Sequence, residues 1–237
     1  MTIDQPKILV VLHQKQSIPG RVGWMLEQRG FHLDIRRPRF GDPLPIHMDE
    51  HAGAVIFGGP MSANDPDAFV KREIDWIHVP LQADTPFLGI CLGGQMLAKQ
   101  LGGSVSARTD GQVEIGYYPV HATNAGDQML EWPERVYQWH SEGFSVPKDA
   151  ELLATGDLFA NQAFRYGKAA YGLQFHPEVT LAMMNRWTVK ASERLKLPGA
   201  KQRHDHFRNR FIFDPAVERW LVQFLDLWIG QASDHQK

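Results

Sequence analysis

Residues 86–95 read PFLGICLGGQ, and this stretch decides how the chain is interpreted. The run 86–90 is short and apolar, as expected of a buried strand, and residues 92–101 have the composition of a helix that ends at a double glycine. Cys91 lies at the junction. A strand that turns sharply into a helix is typical of a parallel α/β sheet, and it places the junction residue at the carboxyl end of the strand.

Cys91 is the one cysteine of the chain and is predicted to be a nucleophile. Gly89 and Gly93 flank it at two residues on either side, which permits a tight turn with the central side chain projecting outward. The N-terminus of a helix beginning at Leu92 favours the thiolate through its dipole and its unpaired N–H groups. The alternative is a buried structural cysteine, the common role of a lone thiol.

A base for this nucleophile is offered by residues 171–178, YGLQFHPE. Residues 169–175 are predicted to form a strand, and His176 and Glu178 are two positions apart, so an extended backbone directs both side chains to one side. Pro177 restricts His176 to an extended conformation. The carboxylate can then orient the imidazole toward a thiol. An exposed His-Pro-Glu turn is the alternative for this motif taken alone.

A third motif, residues 54–62 with the sequence AVIFGGPMS, runs from an apolar strand into two glycines. The N–H of Gly59 can approach a carbonyl oxygen closely because glycine has no side chain, and with the N–H of Leu92 it would form an oxyanion hole. An ordinary turn at the end of a strand would show the same Gly-Gly-Pro sequence.

Taken together and in this order, the three motifs resemble the class I (triad) glutamine amidotransferase family. Within it the chain is similar to stand-alone members, to the glutaminase domain of GMP synthase and to γ-glutamyl peptidases. The resemblance extends from the first strand to about Val179. It implies that Cys91 is the nucleophile, His176 the acid and base, Glu178 its orienting partner, and Gly59 and Leu92 the oxyanion donors.

The same resemblance implies contacts with the substrate. Gln95 matches the family's side-chain contact to glutamine, and Ser141 and Glu142 match the backbone segment that holds the α-amino and carboxylate groups. No metal and no organic cofactor is implied. The expected ligand is glutamine or another γ-glutamyl small molecule, and an ammonia-accepting synthetase is the expected partner if the nitrogen is transferred.

The remaining pattern predicts an α/β fold: a mostly parallel, twisted, flavodoxin-like sheet flanked by helices, with a small antiparallel addition and C-terminal helices. Strands are expected at 7–13, 31–36, 53–57 and 86–90, helices at 20–29, 67–79 and 92–101, and shorter strands at 104–107, 114–120, 136–140 and 160–166. Residues 164–169 are expected to form a hairpin leading into the strand before His176. Residues 1–190 are assigned to the catalytic domain and 191–237 to a helical extension packed on it.

The C-terminal extension contains no recognisable chemistry. Asp214 is predicted to cap a helix with Pro215 in its first turn, and a stripe at helical spacing is predicted to face the core: Val217, Trp220, Leu221, Phe224 and Trp228. The basic segment 201–210 is interpreted as a solvated loop or helix face, with an anion- or partner-binding patch as the alternative. His204 and His206 have no further ligand cluster nearby and are not assigned to a metal.

Composition excludes several classes of function. A net charge of −2 gives no overall basic footprint, so neither nucleic acid nor an anionic membrane is expected as the main partner. No cleavable signal is recognised near Met1, and no apolar run approaches the roughly 20 residues of a membrane span. With one cysteine there is no internal disulfide, and a cytoplasmic location is expected.

Three functions stay open at this stage. The first is glutaminase-type hydrolysis of a γ-glutamyl amide through a cysteine thioester, with ammonia supplied to a partner. The second is a stand-alone γ-glutamyl peptidase or hydrolase. The third is a non-catalytic binding protein with a glutaminase-like fold, which an intact Cys-His-Glu set disfavours.

Overall fold

A mixed sheet of eight strands forms the centre of the computed structural model, which describes residues 5–233. The strand order is β2-β1-β3-β4-β12-β11-β10-β7, and two separate two-stranded pairs, β5-β9 and β6-β8, lie beside it. The strands are β1 (Lys7–Val11), β2 (His32–Arg36), β3 (His51–Ile56), β4 (Phe87–Ile90), β5 (Val105–Ala107), β6 (Glu114–Pro119), β7 (His121–Ala122), β8 (Arg135–His140), β9 (Glu142–Phe144), β10 (Ala150–Thr155), β11 (Ala163–Tyr166) and β12 (Ala170–Leu173).

Helices cover both faces of this sheet. They are α1 (Gly20–Gln28), α2 (Ala68–Trp76), α3 (His78–Gln82), α4 (Leu92–Gln100), α5 (Asn124–Met129), α6 (Leu181–Lys190) and α7 (Arg203–Ser233), with 3-10 turns at Pro38–Phe40 and Ser192–Lys196. Strands β2, β1, β3, β4 and β12 are parallel, and β11, β10 and β7 continue the sheet antiparallel. The predicted fold class is confirmed.

Alternating side chains divide the core into two layers. In β1, Ile8 and Val10 pack with α1 and α7, whereas Leu9 and Val11 pack with α2 and α4. This is the pattern of a strand buried on both faces. The carboxyl ends of β3, β4 and β12 meet at one edge of the sheet, so the three sequence motifs that follow those strands are brought together there.

The helix predicted at 67–79 is two helices, and proline gives the physical reason. Pro80 lacks an N–H, and its ring would clash with the carbonyl of Trp76 four residues earlier. Helix α2 therefore ends at Trp76, and α3 begins at His78, where Pro80 lies within the first turn.

The antiparallel region is larger than predicted. The hairpin of β11 and β12 is confirmed, but β7, β9, β10 and helix α5 were not predicted. Strand β12 ends at Leu173, two residues earlier than the predicted end, and β1 ends at Val11 rather than residue 13.

The predicted start of the C-terminal helix at Asp214 is wrong. Helix α7 begins at Arg203 and continues through Pro215. The Asp214 carboxylate does not cap the helix, because it accepts hydrogen bonds from Arg21 at 3.0 and 2.6 Å and pairs with Arg210 at 2.9 Å. The apolar stripe faces the core as predicted: Val217, Trp220, Leu221, Phe224 and Trp228 are all buried.

The basic segment includes the first two turns of α7, and its charges are not uniformly solvated. Arg208 is 68% exposed and pairs with Asp205, whereas Arg210 is largely buried and donates to the carbonyl oxygen of Val179. His206 is fully buried against Tyr137, and His204 is 76% exposed. Among residues 5–233, no group of three or more His, Cys, Asp or Glu side chains could hold a metal ion.

The length and hydropathy of the helices show whether any of them could span a membrane. In the part of the chain that the structure describes, none of the helices combines the length and the apolar character needed to cross a membrane.

The Asp214 network predicts a large effect on stability. Asp214→Ala leaves Arg21 and Arg210 without their buried partner, so we expect the free energy of unfolding to fall by about 3–5 kcal/mol. Asp226→Ala on the same helix removes a pair with Arg29 in which Asp226 is 63% exposed, and it should cost at most about 1 kcal/mol. Urea unfolding measures both values. Equal, small losses would contradict the importance assigned to the buried network.

Candidate active site

Cys91 occupies a strained turn between β4 and α4. Its backbone has φ 52° and ψ −105°, a conformation that residues with side chains rarely adopt and that costs on the order of 1–3 kcal/mol. The surroundings enforce it: the Cys91 N–H donates to the carbonyl oxygen of Leu173 at 2.7 Å. The predicted sharp turn is therefore present.

The two flanking glycines are required by close backbone packing. A Cβ atom on Gly89 would lie 2.4 Å from the carbonyl carbon and oxygen of Gly93, and one on Gly93 would lie 2.0 Å from the carbonyl oxygen of Ile56. Neither obstacle is a flexible side chain, so any larger residue would push the helix off the sheet. Gly94 is similarly close to β12, since its Cβ would lie 2.8 Å from the carbonyl oxygen of Leu173.

His176 and Glu178 form the predicted pair, although the segment that carries them is not a strand. His176 lies beyond the end of β12, and its backbone N–H donates to the carbonyl oxygen of Tyr137. The Nδ1 atom of the His176 ring lies 2.8 Å from Oε1 of Glu178. Both side chains are buried. An ionised carboxylate only accepts, so Nδ1 carries the proton of this bond. The other ring nitrogen, Nε2, is buried and has no hydrogen-bond partner among the described residues.

Three influences determine the protonation of His176. Burial alone would lower its pKa, but the negative charges of Glu178 and Cys91, with the hydrogen bond to Glu178, outweigh burial and raise the pKa to about 10. His176 is therefore an imidazolium at neutral pH.

The double glycine faces this pair. A Cβ on Gly58 would lie 2.8 Å from Cε1 of His176 and 3.5 Å from Cβ of Cys91, so Gly58 is the nearer of the two glycines. Gly59 instead lies against His13. The Leu92 N–H is in the first turn of α4, where backbone N–H groups have no acceptor within the helix.

The three residues expected to bind the substrate lie together but away from the open cavity. The Gln95 amide donates to the carbonyl oxygen of Glu142 at 2.8 Å and to Oε1 of Gln174 at 3.3 Å. Neither Gln95, Ser141 nor Glu142 lines the cavity onto which Cys91 opens. Their roles as substrate contacts stay predictions.

Two residues near the pair were missed by sequence reasoning. The Gln174 amide donates to Sγ of Cys91 at 3.8 Å, and Trp187 packs its ring edge-on to His176 with centroids 5.0 Å apart. Gln174 lies within the stretch that identified His176, so its position was available as a signal. Trp187 comes from α6, beyond the recognised motifs.

Cys91, His176 and Glu178 open onto a cavity of about 470 Å³. Its walls come from the loop after β1, the double glycine, helix α6 and the following 3-10 turn. The cationic and indole side chains on these walls are Lys15, Trp139, Arg186, Trp187, Lys190 and Arg194.

A mostly parallel α/β sheet with a cysteine at a strand–helix turn and a buried histidine–glutamate pair beside it defines a class of protein. Comparison with known proteins identifies that class. The family model for glutamine amidotransferase class-I matches residues 17–191. The chain belongs to the class I glutamine amidotransferase family.

Similar proteins agree with this assignment. The glutamine amidotransferase-like protein YfeJ of Salmonella typhimurium is 29% identical over 235 residues, covering 94% of each chain. A glutamine-hydrolysing GMP synthase subunit of Methanobrevibacter smithii is 31% identical over 138 residues, which are 56% of this chain and 67% of that protein. The crystal structure of a glutamine amidotransferase from Methylobacillus flagellatus has a TM-score of 0.87 at 27% identity, covering 96% of this chain and 95% of that one.

The site predicts an unusual titration of His176. Because its pKa of about 10 exceeds the 6.5 of an unperturbed histidine, the stability that its proton contributes is fully present below about pH 6.5 and is lost as pH rises through about 10. Glu178→Gln removes one of the charges that raise this pKa, so His176 should titrate at lower pH in that variant. NMR of ring-labelled histidine measures the pKa of His176 in the native protein and in the Glu178→Gln variant. An unchanged titration in Glu178→Gln would contradict the assignment.

Proposed function

We propose that this protein hydrolyses a γ-glutamyl amide through a thioester on Cys91. The observation that carries the proposal is the arrangement of one cavity: the strained Cys91 and the buried His176–Glu178 pair both open onto it. This is the arrangement of a nucleophile, a base and an orienting carboxylate.

In the first half-reaction, the thiolate of Cys91 attacks the γ-carbonyl carbon and a carbon–sulfur bond forms. The carbonyl oxygen becomes an oxyanion, which the N–H groups of Gly59 and Leu92 stabilise; losing one such donor typically costs about 3 kcal/mol of barrier. As the intermediate collapses, the carbon–nitrogen bond breaks and the His176 imidazolium gives its proton to the departing nitrogen. Ammonia or an amine leaves, and His176 is neutral.

In the second half-reaction, neutral His176 removes a proton from water, and the resulting hydroxide attacks the thioester carbon. Collapse of this intermediate breaks the carbon–sulfur bond and releases the γ-carboxylic acid, which ionises to the carboxylate and gives its proton to solvent. The thiolate and the imidazolium are then regenerated as a pair. Glu178 remains ionised and holds the ring throughout.

The fate of the nitrogen distinguishes two versions of this function. The similar protein of Methanobrevibacter smithii is named for glutamine hydrolysis within GMP synthase, which supports an ammonia-accepting partner here as well. The stand-alone hydrolase is the second candidate, and the cations on the wall of the cavity favour it. A cytoplasmic location fits either version, because the thiolate must stay reduced.

Chemical labelling tests the proposal. A glutamine-like diazo-ketone should label Cys91 stoichiometrically, Cys91→Ser should abolish turnover, and His176→Ala should lose several orders of magnitude in kcat. Glu178→Gln should lose less, because the carboxylate exchanges no proton with the substrate. Intact-protein mass spectrometry and steady-state kinetics are the measurements.

A control comes from an exposed histidine. His204 is 76% exposed and does not line the cavity, so His204→Gln should retain labelling of Cys91. Unlabelled protein under conditions that inactivate an ordinary glutaminase would refute the proposed nucleophile. Near-normal turnover in His176→Ala would refute the proposed base.

A further inference from the structure

One wall of the active-site cavity carries a row of cations. Arg186 and Lys190 are four residues apart on α6 and thus on one face of the helix, and Arg194 follows on the 3-10 turn Ser192–Lys196. Lys15 contributes a fourth cation from the loop after β1. Within the described part of the chain, Glu178 is the one carboxylate that lines this cavity, and His176 already engages it.

Arg194 differs from its neighbours in the contacts that its side chain makes within the described residues. Arg186 donates to the carbonyl oxygen of Gln16 at 3.0 Å, and Lys190 donates to the side-chain oxygen of Gln16 at 3.2 Å. The Arg194 guanidinium makes no hydrogen bond or ion pair with any residue of the described chain, although it is partly buried. Burial lowers its pKa, and the charge of Cys91 acts in the opposite direction. A partly buried, unpaired cation is a favourable place for an anion.

The position of Arg194 in the cavity places it near the leaving group of the substrate and not near the glutamyl group. The cavity includes His176, which protonates the departing nitrogen in the proposed reaction, and excludes Gln95 and Glu142, where the family resemblance places the glutamyl end. With the glutamyl end held by those two residues, as the resemblance implies, the cavity is on the side of the leaving group. Its volume of about 470 Å³ is within the range of small-molecule sites and leaves room for more than ammonia.

We propose that the cavity binds a leaving group that carries a carboxylate, that is, the amino acid or short peptide released from a γ-glutamyl peptide, with Arg194 as the residue that recognises this carboxylate. The proposal rests on the proposed function and specifies its substrate class. Trp139 and Trp187 provide apolar walls for the side chain of that leaving group.

A matched pair of substrates tests whether Arg194 recognises the carboxylate of the leaving group. γ-Glutamylalanine and γ-glutamylalanine amide differ only in the carboxylate of the leaving group, and glutamine has no leaving-group carboxylate at all. We expect Arg194→Gln to lower kcat/KM for γ-glutamylalanine by about 10- to 100-fold, the effect of losing one charge-assisted hydrogen bond. The kcat/KM values for γ-glutamylalanine amide and for glutamine should change by less than about twofold. Arg208→Gln, on the exposed face of α7, is the control and should change none of the three.

Binding measured without turnover separates this proposal from the proposed function. In the Cys91→Ser protein, calorimetry should show tighter binding of γ-glutamylalanine than of its amide, and Arg194→Gln should remove the difference. If this preference is present but no substrate is hydrolysed by the native enzyme, the anion site stands and the proposed function fails. If glutamine is hydrolysed but Arg194→Gln affects all three substrates equally, or no preference exists, the anion site is refuted.

A second inference concerns the buried pair His13 and Glu73, which the proposed reaction does not use. Both side chains are inaccessible, with Nε2 of His13 at 2.7 Å from Oε2 of Glu73 and Nδ1 of His13 at 3.1 Å from the carbonyl oxygen of Gly58. A carbonyl oxygen only accepts, so Nδ1 must carry a proton directed at it. The pair therefore holds the Gly58 carbonyl.

Holding this carbonyl also orients the next N–H. In a trans peptide the Gly58 C=O and the Gly59 N–H point in opposite directions. Gly58 faces His176 and Cys91, whereas Gly59 packs on His13. We infer that His13 and Glu73 are positioning residues that direct the Gly59 N–H toward the oxyanion.

Two reactions of Cys91 distinguish positioning from general structural support. Acyl transfer from γ-glutamyl p-nitroanilide forms an oxyanion, whereas alkylation by iodoacetamide does not. His13→Phe should lower the acyl-transfer rate by about 10- to 100-fold and leave alkylation within about twofold. In Glu73→Gln the amide can donate to Nε2 of His13 and preserve the bond to Gly58, so acyl transfer should remain close to normal.

Three results would overturn this assignment. They are equal losses of acyl transfer and alkylation in His13→Phe, an unaffected acyl-transfer rate in that variant, or a loss in Glu73→Gln as large as that in His13→Phe.

Discussion

The contact of Gly93 with the carbonyl oxygen of Ile56 is the constraint on which the site depends. It brings the start of α4 onto the end of β3, with no room for even one carbon atom between them. Cys91 must therefore turn with a positive φ, and its side chain leaves the sheet at the point where the ends of β3, β4 and β12 meet. Cys91 packs in one core layer and Leu92 in the other, so Cys91 is positioned by the sheet and its helices and not by a loop.

The histidine side of the site depends on a different interaction. Arg21 in α1 donates to the carbonyl oxygen of Pro177 at 2.7 Å and pairs with Asp214 in α7, while Arg210 donates to the carbonyl oxygen of Val179. The segment that carries His176 and Glu178 is thus fixed by two helices that are far apart in sequence. The described residues of helix α7 do not line the cavity, but the helix secures the segment that carries His176 and covers one face of the sheet.

Local chemistry explains which parts could be predicted from the sequence. The turn at Cys91 was predictable because glycines at 89 and 93 are needed wherever the flanking elements pack. The His176–Glu178 pair was also predictable, but Pro177 and Glu178 lie in a turn and not in the extended backbone that was expected. The course of α7 was not, because Asp214 has the sequence signature of a cap but is bonded to Arg21, 193 residues away. Arg194 and the His13–Glu73 pair were missed for the same reason: their relation to the site is set by tertiary packing and not by any short motif. Gln174 was missed although it lies within the motif that identified His176.

Trapping the covalent intermediate tests the central claim most directly, since a thioester on Cys91 is what distinguishes an enzyme from a binding protein of the same fold. Protein mixed with a γ-glutamyl substrate and quenched in acid during turnover would be analysed by intact mass spectrometry and peptide mapping. We predict a mass increase equal to one γ-glutamyl group on the peptide that contains Cys91, lost on raising the pH or on adding hydroxylamine. Product formation with no such adduct, or an adduct on any other residue, would contradict this claim.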